Sequence, residues 1–303
     1  MSRTSSRMKP AINFKKDVKI MEAMTTQPKN LVSNNENLLY IFCCLVIAVL
    51  ICISIGHYAF KNGFLTCDHY ILNTYLYVIL AIVLIILLIL LNDRYGIFMS
   101  ALDYLFYGNY ISPFLSLFIL IVLIVGLSYA IRNIPPENIL ASNAIWLMLI
   151  ILISFIIIPC IYFGRITNVL GAAGLGTVAI VIITGLLGYY YGDMIITFDW
   201  DYYLGFALVA LIIVLFIGMF IPMSVTGRIN FIYSTCIIGL IIFVLLLLSY
   251  HKNLKQNANK CVDGVMIPNY PLESWSLVIK IVNVLTKLIR ILGIRKRRRY
   301  SSY

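Results

Sequence analysis

"SLVIKIVNVLTKLIRILG", residues 276–293, decides how the rest of the chain is read. Ser276, Lys280, Asn283, Lys287 and Arg290 step by 4, 3, 4 and 3, so a helix gathers them into one polar stripe opposite Leu, Ile and Val. Two readings are open. A helix packed inside a membrane bundle turns such a stripe toward a cavity or other helices, and its ionisable residues then mark a functional site. An amphipathic helix lying in the interface turns the same stripe to water and headgroups. The first adds a span to the fold, and the second does not.

Working outward, the 303 residues are 62% hydrophobic and only 12% charged, with a mean hydropathy of +0.97. A soluble domain cannot hide that much apolar side chain, so the class is a polytopic all-α membrane bundle. The net charge of +11 does not point to nucleic acid, because it is concentrated at the two ends. Arg3, Arg7, Lys9, Lys15, Lys16, Lys19 and Lys29 precede the apolar region; Lys287, Arg290 and the run Arg295–Arg299 close it. Clusters of this kind beside spans are cytosolic topology signals and candidate contacts for anionic lipids.

Residues 1–37 are polar and read as a disordered basic tail. Apolar runs follow at about 38–56, 71–91, 112–131, 142–163, 167–191, 203–223 and 228–250, with a weaker one at 272–294. The multispan domain is thus 38–294, with seven to eight transmembrane helices, and a basic tail occupies 295–303. Two cytosolic ends require an even number of spans, and eight fits. That count puts the acidic loop with Asp193, Asp199 and Asp201 outside and Arg94, Arg165 and Arg228 inside. The lysines of loop 251–271 oppose it mildly.

Of the seven cysteines, Cys43, Cys44, Cys52, Cys160 and Cys236 lie in apolar runs and read as small buried hydrophobes. Cys67 and Cys261 fall in the first and seventh loops, on one non-cytosolic side, where an oxidising lumen would allow a disulfide. No metal spacing appears, and His57, His69 and His251 are isolated, so each reads as a loop or interfacial residue. "GAAGLGT" (171–177) lacks the strand and lysine of a phosphate loop, and close helix packing explains it, as it does Gly188 and Gly192. No hydrolase motif occurs, and one Asp after "YYYG" is not the carboxylate pair of a membrane protease. A non-enzyme without cofactors is expected.

The C-terminal half resembles the Bax-inhibitor-type (transmembrane Bax inhibitor motif) family. Its pattern is matched by Ala173 and Thr177, by Asp199 in "TFDWD", and by Gly205 in "YYLGFALVAL". In the last helix Tyr270 matches the family tyrosine, and Ile281, Val282, Asn283 and Val284 match Ile-Ile-Asn-Leu. Ile291, Leu292 and Gly293 match the closing residues, and Pro136 and Asn138 resemble a Pro-x-Asn loop. The resemblance implies a core over 71–294, preceded by an extra helix at 38–56.

The departures bear on mechanism. Family members that leak calcium use two intramembrane carboxylates, one on each of the last two helices, as a proton-sensitive gate. Here the second position is Lys280, and the first falls on His251 or, counted from Gly239, on Tyr250. The resemblance therefore implies a modulator of cell death or ion homeostasis without the proton-gated calcium leak. A scaffolding membrane protein that keeps the fold without transport is the alternative, and a small-solute transporter a third. The membrane expected is the endoplasmic reticulum or another internal one, with the mitochondrial inner membrane as alternative.

Overall fold

The computed structural model describes residues 34–61, 64–96, 113–196 and 200–301. Nearly all of them are helical: α1 (Asn34–Tyr58), α2 (Tyr70–Tyr95), α3 (Pro113–Asn133), α4 (Ile139–Ile166), α5 (Leu170–Ile195), α6 (Trp200–Phe220), α7 (Val225–Val262) and α8 (Tyr270–Ser301). Among the described residues, 6 helices are long and apolar enough to cross a membrane, namely α1, α2 and α4–α7. The described apolar part of α3 is shorter, Ile119–Asn133, and α8 is set apart by its polar stripe. The expected tail 1–37 lies almost wholly outside the described residues.

The polar-striped helix is the centre of the bundle. α8 packs against α2, α4, α5 and α7, while α1 leans on α2, α3 on α4 and α6 on α7. Leu277, Val278, Val284 and Ile289 on α8 are fully buried, together with Leu149, Ile150 and Ile158 on α4 and Leu247 on α7. An interfacial helix would leave its flanks open, so the stretch 276–293 belongs inside. The outward faces of α5 and α6 are apolar and uncovered by protein, as lipid-facing surfaces are.

Several boundaries move. α7 does not stop at 250 but runs 38 residues to Val262, roughly 57 Å at 1.5 Å per residue, longer than a bilayer core of about 30 Å. Its polar end therefore projects beyond the hydrocarbon, and the expected loop at 251–262 is helix. α8 likewise continues through the basic run to Ser301. The cysteine reading also needs correction: only Cys236 is buried, whereas Cys43 and Cys52 are exposed on α1 and Cys44 and Cys160 are intermediate. Hydrocarbon, not protein, covers an apolar residue on the outside of a span.

The glycines divide in the same way. A Cβ at Gly171 or Gly174 would meet nothing within 4 Å, so those positions are not helix contacts. A Cβ at Gly188 would lie 2.7 Å from His251 Cβ and 2.8 Å from the Leu248 carbonyl. One at Gly192 would lie 2.9 Å from Lys252 Cβ, so α5 and α7 touch through this pair.

One feature is not helical. β1 (Phe60–Lys61) and β2 (Phe64–Leu65) form an antiparallel hairpin in which Phe60 faces Leu65 and Lys61 faces Phe64. It leads into Cys67, which is disulfide-bonded to Cys261 in the last turn of α7. The bond joins one end of the molecule. At the opposite end Arg165 pairs with Asp93 at 2.6 Å, and Arg298 donates to Asn230 Oδ1.

Candidate functional site

Where α7 and α8 run side by side below the disulfide, the polar stripe meets aromatic and carboxylate groups. Lys280 Nζ sits 4.6 Å from the centroid of the Tyr250 ring and donates to the Ser276 carbonyl at 2.9 Å. The ammonium is thus held over an aromatic face, where a cation without a carboxylate partner gains part of what it lost on leaving water. Among the described residues the ion pairs are Lys61–Asp68 and Arg165–Asp93, and Lys280 is in neither.

Of the two α7 positions offered by sequence, Tyr250 is the one under the lysine. His251 lies on the neighbouring side of α7, with ring centroids 6.0 Å apart. It is 3% exposed and lies within a helix, not in a loop, because α7 continues past it and α5 closes over it at Gly188. Its Nδ1 faces the Leu247 carbonyl at 2.6 Å, and its ring stacks on Tyr75 at 6.2 Å. The other nitrogen, Nε2, is buried and has no hydrogen-bond partner.

Sequence reasoning missed the carboxylate of this region. Glu273, in the first turn of α8, accepts from Tyr70 Oη at 3.1 Å, Tyr250 Oη at 2.9 Å and Asn257 Nδ2 at 3.0 Å. Tyr250 also donates to the Glu273 backbone carbonyl at 2.7 Å. One side chain therefore ties α2, α7 and α8 together. Its partners are 203, 23 and 16 residues away, so no local motif announces it. Asn257 in particular was hidden by reading 251–271 as loop.

The remaining family-pattern residues lie away from Lys280 and Tyr250 in their contacts, and several of them take part in packing or in bonds within their own helix. Ala173 is fully buried and its carbonyl accepts from Thr177 Oγ1 at 2.8 Å, a bond internal to α5. Asn283 Nδ2 donates to the Ile279 carbonyl at 2.8 Å on its own helix. A Cβ at Gly205 would meet nothing within 4 Å, whereas one at Gly293 would be 2.5 Å from the Phe163 ring. Asp199 lies outside the described residues. Tyr270 is fully buried; its hydroxyl donates to the Thr66 carbonyl and receives Asn73 Nδ2 at 3.3 Å. It thereby pins the start of α8 to the hairpin loop and α2. Asn138 caps α4 through a bond from the Ala141 amide.

Lower on the stripe, Lys287 Cε packs where a Cβ at Gly239 would be 3.0 Å away, and Arg290 approaches Cys160 Sγ at 3.8 Å. The lysine and arginine stems thus lie against α7 and α4, with their apolar carbons as the packing surface. No group of three or more His, Cys, Asp or Glu side chains able to hold a metal occurs among the described residues.

No curated protein matches this chain. The family model described as "Inhibitor of apoptosis-promoting Bax1" matches residues 67–297, which takes in the hairpin's exit, α2 to α7 and nearly all of the central α8. The match spans Tyr270, Lys280 and Ile291–Gly293 on α8, and it leaves α1 outside, so the chain belongs to the Bax inhibitor family.

Proposed function

We propose that this protein is a non-enzymatic modulator of cell death or ion homeostasis in an internal membrane, and that it lacks the proton-gated calcium leak of relatives with two gate carboxylates. The observation that carries this reading is the Lys280 ammonium held over the Tyr250 ring, one residue on each of the last two helices. A carboxylate pair attracts a cation when it loses its proton, but a lysine over an aromatic ring repels one. At an effective dielectric near 20, two like unit charges about 4 Å apart repel by roughly 4 kcal/mol, and a divalent ion doubles that. A barrier of this order lowers cation entry by several powers of ten.

The test is calcium flux into proteoliposomes at several pH values. Wild type is compared with Lys280→Asp/Tyr250→Asp and Lys280→Asp/His251→Asp. Flux that appears only in a double variant, and that acid suppresses, supports a lost gate on a kept fold. A wild-type leak that acid suppresses overturns the reading, and Glu273 then becomes the first carboxylate to replace.

A scaffolding role without transport is the second reading. It is favoured by the cross-linking of the non-cytosolic end through Glu273 and the Cys67–Cys261 bond, which ties down the helices a gate would have to move. At the other end Arg295, Lys296 and Arg297 extend α8 beyond its apolar part, a placement suited to anionic headgroups.

A further inference from the structure

His251, whose Nε2 is buried without a hydrogen-bond partner, lines a cavity that neither the gate comparison nor the disulfide accounts for. The cavity measures about 210 Å³ and lies between α2, α5 and α7, lined among others by Tyr75, Gly185, Tyr189, Tyr190, His251 and Leu254. Its floor is open because residue 185 has no side chain. A Cβ there would come 3.6 Å from His251 Nε2 and 3.7 Å from Tyr75 Oη, so these two polar atoms converge on one point. Its rim is framed by Leu186 and Tyr190, both exposed on the face of α5 that no protein covers. In a bilayer that rim meets lipid, and the run Tyr189–Tyr191 is the kind of aromatic cluster found where hydrocarbon gives way to headgroups.

The chemistry of the occupant follows from the hydrogen bonds. A carbonyl only accepts, so the contact with Leu247 puts the ring proton on Nδ1 and leaves Nε2 of the neutral ring as a bare acceptor. The group that satisfies Nε2 is therefore an O–H or N–H donor, and Tyr75 can donate to the same group if it is a hydroxyl. The volume is several times the roughly 30 Å³ share of one water, yet below the roughly 300–1,000 Å³ of a site that encloses a whole drug-sized molecule. It suits a small head with its tail left outside along α5.

The geometry points to a binding site for the hydroxyl head of a membrane amphiphile, entered from the lipid between α2 and α5, with the hydroxyl donating to His251 Nε2 and accepting from Tyr75 Oη. Sterols and diacylglycerols both present such a head. The site does not depend on whether the calcium leak is lost.

The test uses the full chain in phosphatidylcholine nanodiscs with diazirine-bearing probes. A sterol and a diacylglycerol are each paired with the analogue that lacks the free hydroxyl. Adducts are mapped by mass spectrometry. For at least one of the two pairs, the hydroxyl probe is expected to label the 185–190 segment about five- to tenfold more than its deoxy partner, the ratio set by one or two hydrogen bonds. The pair that discriminates identifies the source. His251→Phe should bring the ratio to one while labelling elsewhere stays the same. Gly185→Leu should abolish labelling in the segment. Gly185→Ala, whose Cβ makes only ordinary contacts, serves as the milder variant, with an intact Cys67–Cys261 bond as the check of folding. Equal labelling by both members of both pairs in wild type overturns the site. So does a ratio that survives both His251→Phe and a correctly folded position-185 variant.

Discussion

At the scale of single residues, the same amino acid does opposite things depending on what faces it. Gly188 and Gly174 sit on the same helix, yet only the first has α7 against it. Gly188→Ala should destabilise the bundle by about 1–3 kcal/mol, since its new methyl must displace backbone at Leu248. Gly174→Ala should be neutral or stabilising by up to about 1 kcal/mol, because it only gains helix propensity. Thermal unfolding of both variants in one detergent, followed by tryptophan fluorescence, checks the contrast. Glu273→Gln keeps the shape of the side chain but removes the charge on three hydrogen bonds. A loss of about 1–3 kcal/mol is expected in the same assay, with little change if Asn257 alone is replaced by Ala.

At the scale of elements, the loop between α1 and α2 illustrates what short-range sequence can encode. Lys61 on β1 donates to Asp68 Oδ2 at 3.2 Å across the hairpin exit. That bond, with a hydrogen bond from the Thr66 hydroxyl and the positive charge of Lys61, holds the Asp68 carboxyl below its ordinary value of 3.8. A lowered folded-state value means the small stabilisation is complete above the ordinary value and disappears as pH falls through the lowered one. Titration of Asp68 by NMR should show its midpoint move up toward 3.8 in Lys61→Gln. An unchanged midpoint would show that the pair does not form in solution. The dipeptide Asn62-Gly63 between Lys61 and Phe64 was a legible hairpin signal, overlooked because the apolar runs on either side dominate the reading. The over-long α7 was not legible, since a polar helix beyond the hydrocarbon has the composition of a loop.

At the scale of the whole molecule, the Cys67–Cys261 bond closes 194 residues of sequence and holds the hairpin to the end of α7. In a soluble chain such a loop would give about 4 kcal/mol or more of stabilisation. In a bilayer the helices persist on unfolding, so less entropy is at stake and Cys261→Ser should cost less than that figure. The oxidised chain should migrate faster than the reduced one on non-reducing gels, and Cys67→Ser should abolish the difference. After reduction in sealed vesicles, a membrane-impermeant thiol reagent should reach both cysteines from the same side. Labelling of one but not the other would contradict an arrangement in which residues 67 and 261 share the non-cytosolic end.

The sequence by itself determined the class of the molecule, because hydrocarbon admits only segments whose backbone bonds are internal, and apolar runs of span length leave no other solution. It also carried the family pattern, in the close of the last helix above all. Only the tertiary structure decided what the polar stripe is for. Helical periodicity puts Lys280 and Asn283 on one face but is silent about what that face meets. The stripe is read as a site because α7 brings the Tyr250 ring under Lys280, and α2 and α7 bring Tyr70, Tyr250 and Asn257 to Glu273. Likewise a lone histidine is ambiguous in sequence. Its meaning came from Gly185 and Gly188, which let α5 close over His251 while its Nε2 stays buried without a hydrogen-bond partner beside Gly185. Hydrophobicity is a property each residue brings with it, whereas a hydrogen-bond partner dozens or hundreds of positions away exists only once the chain has packed.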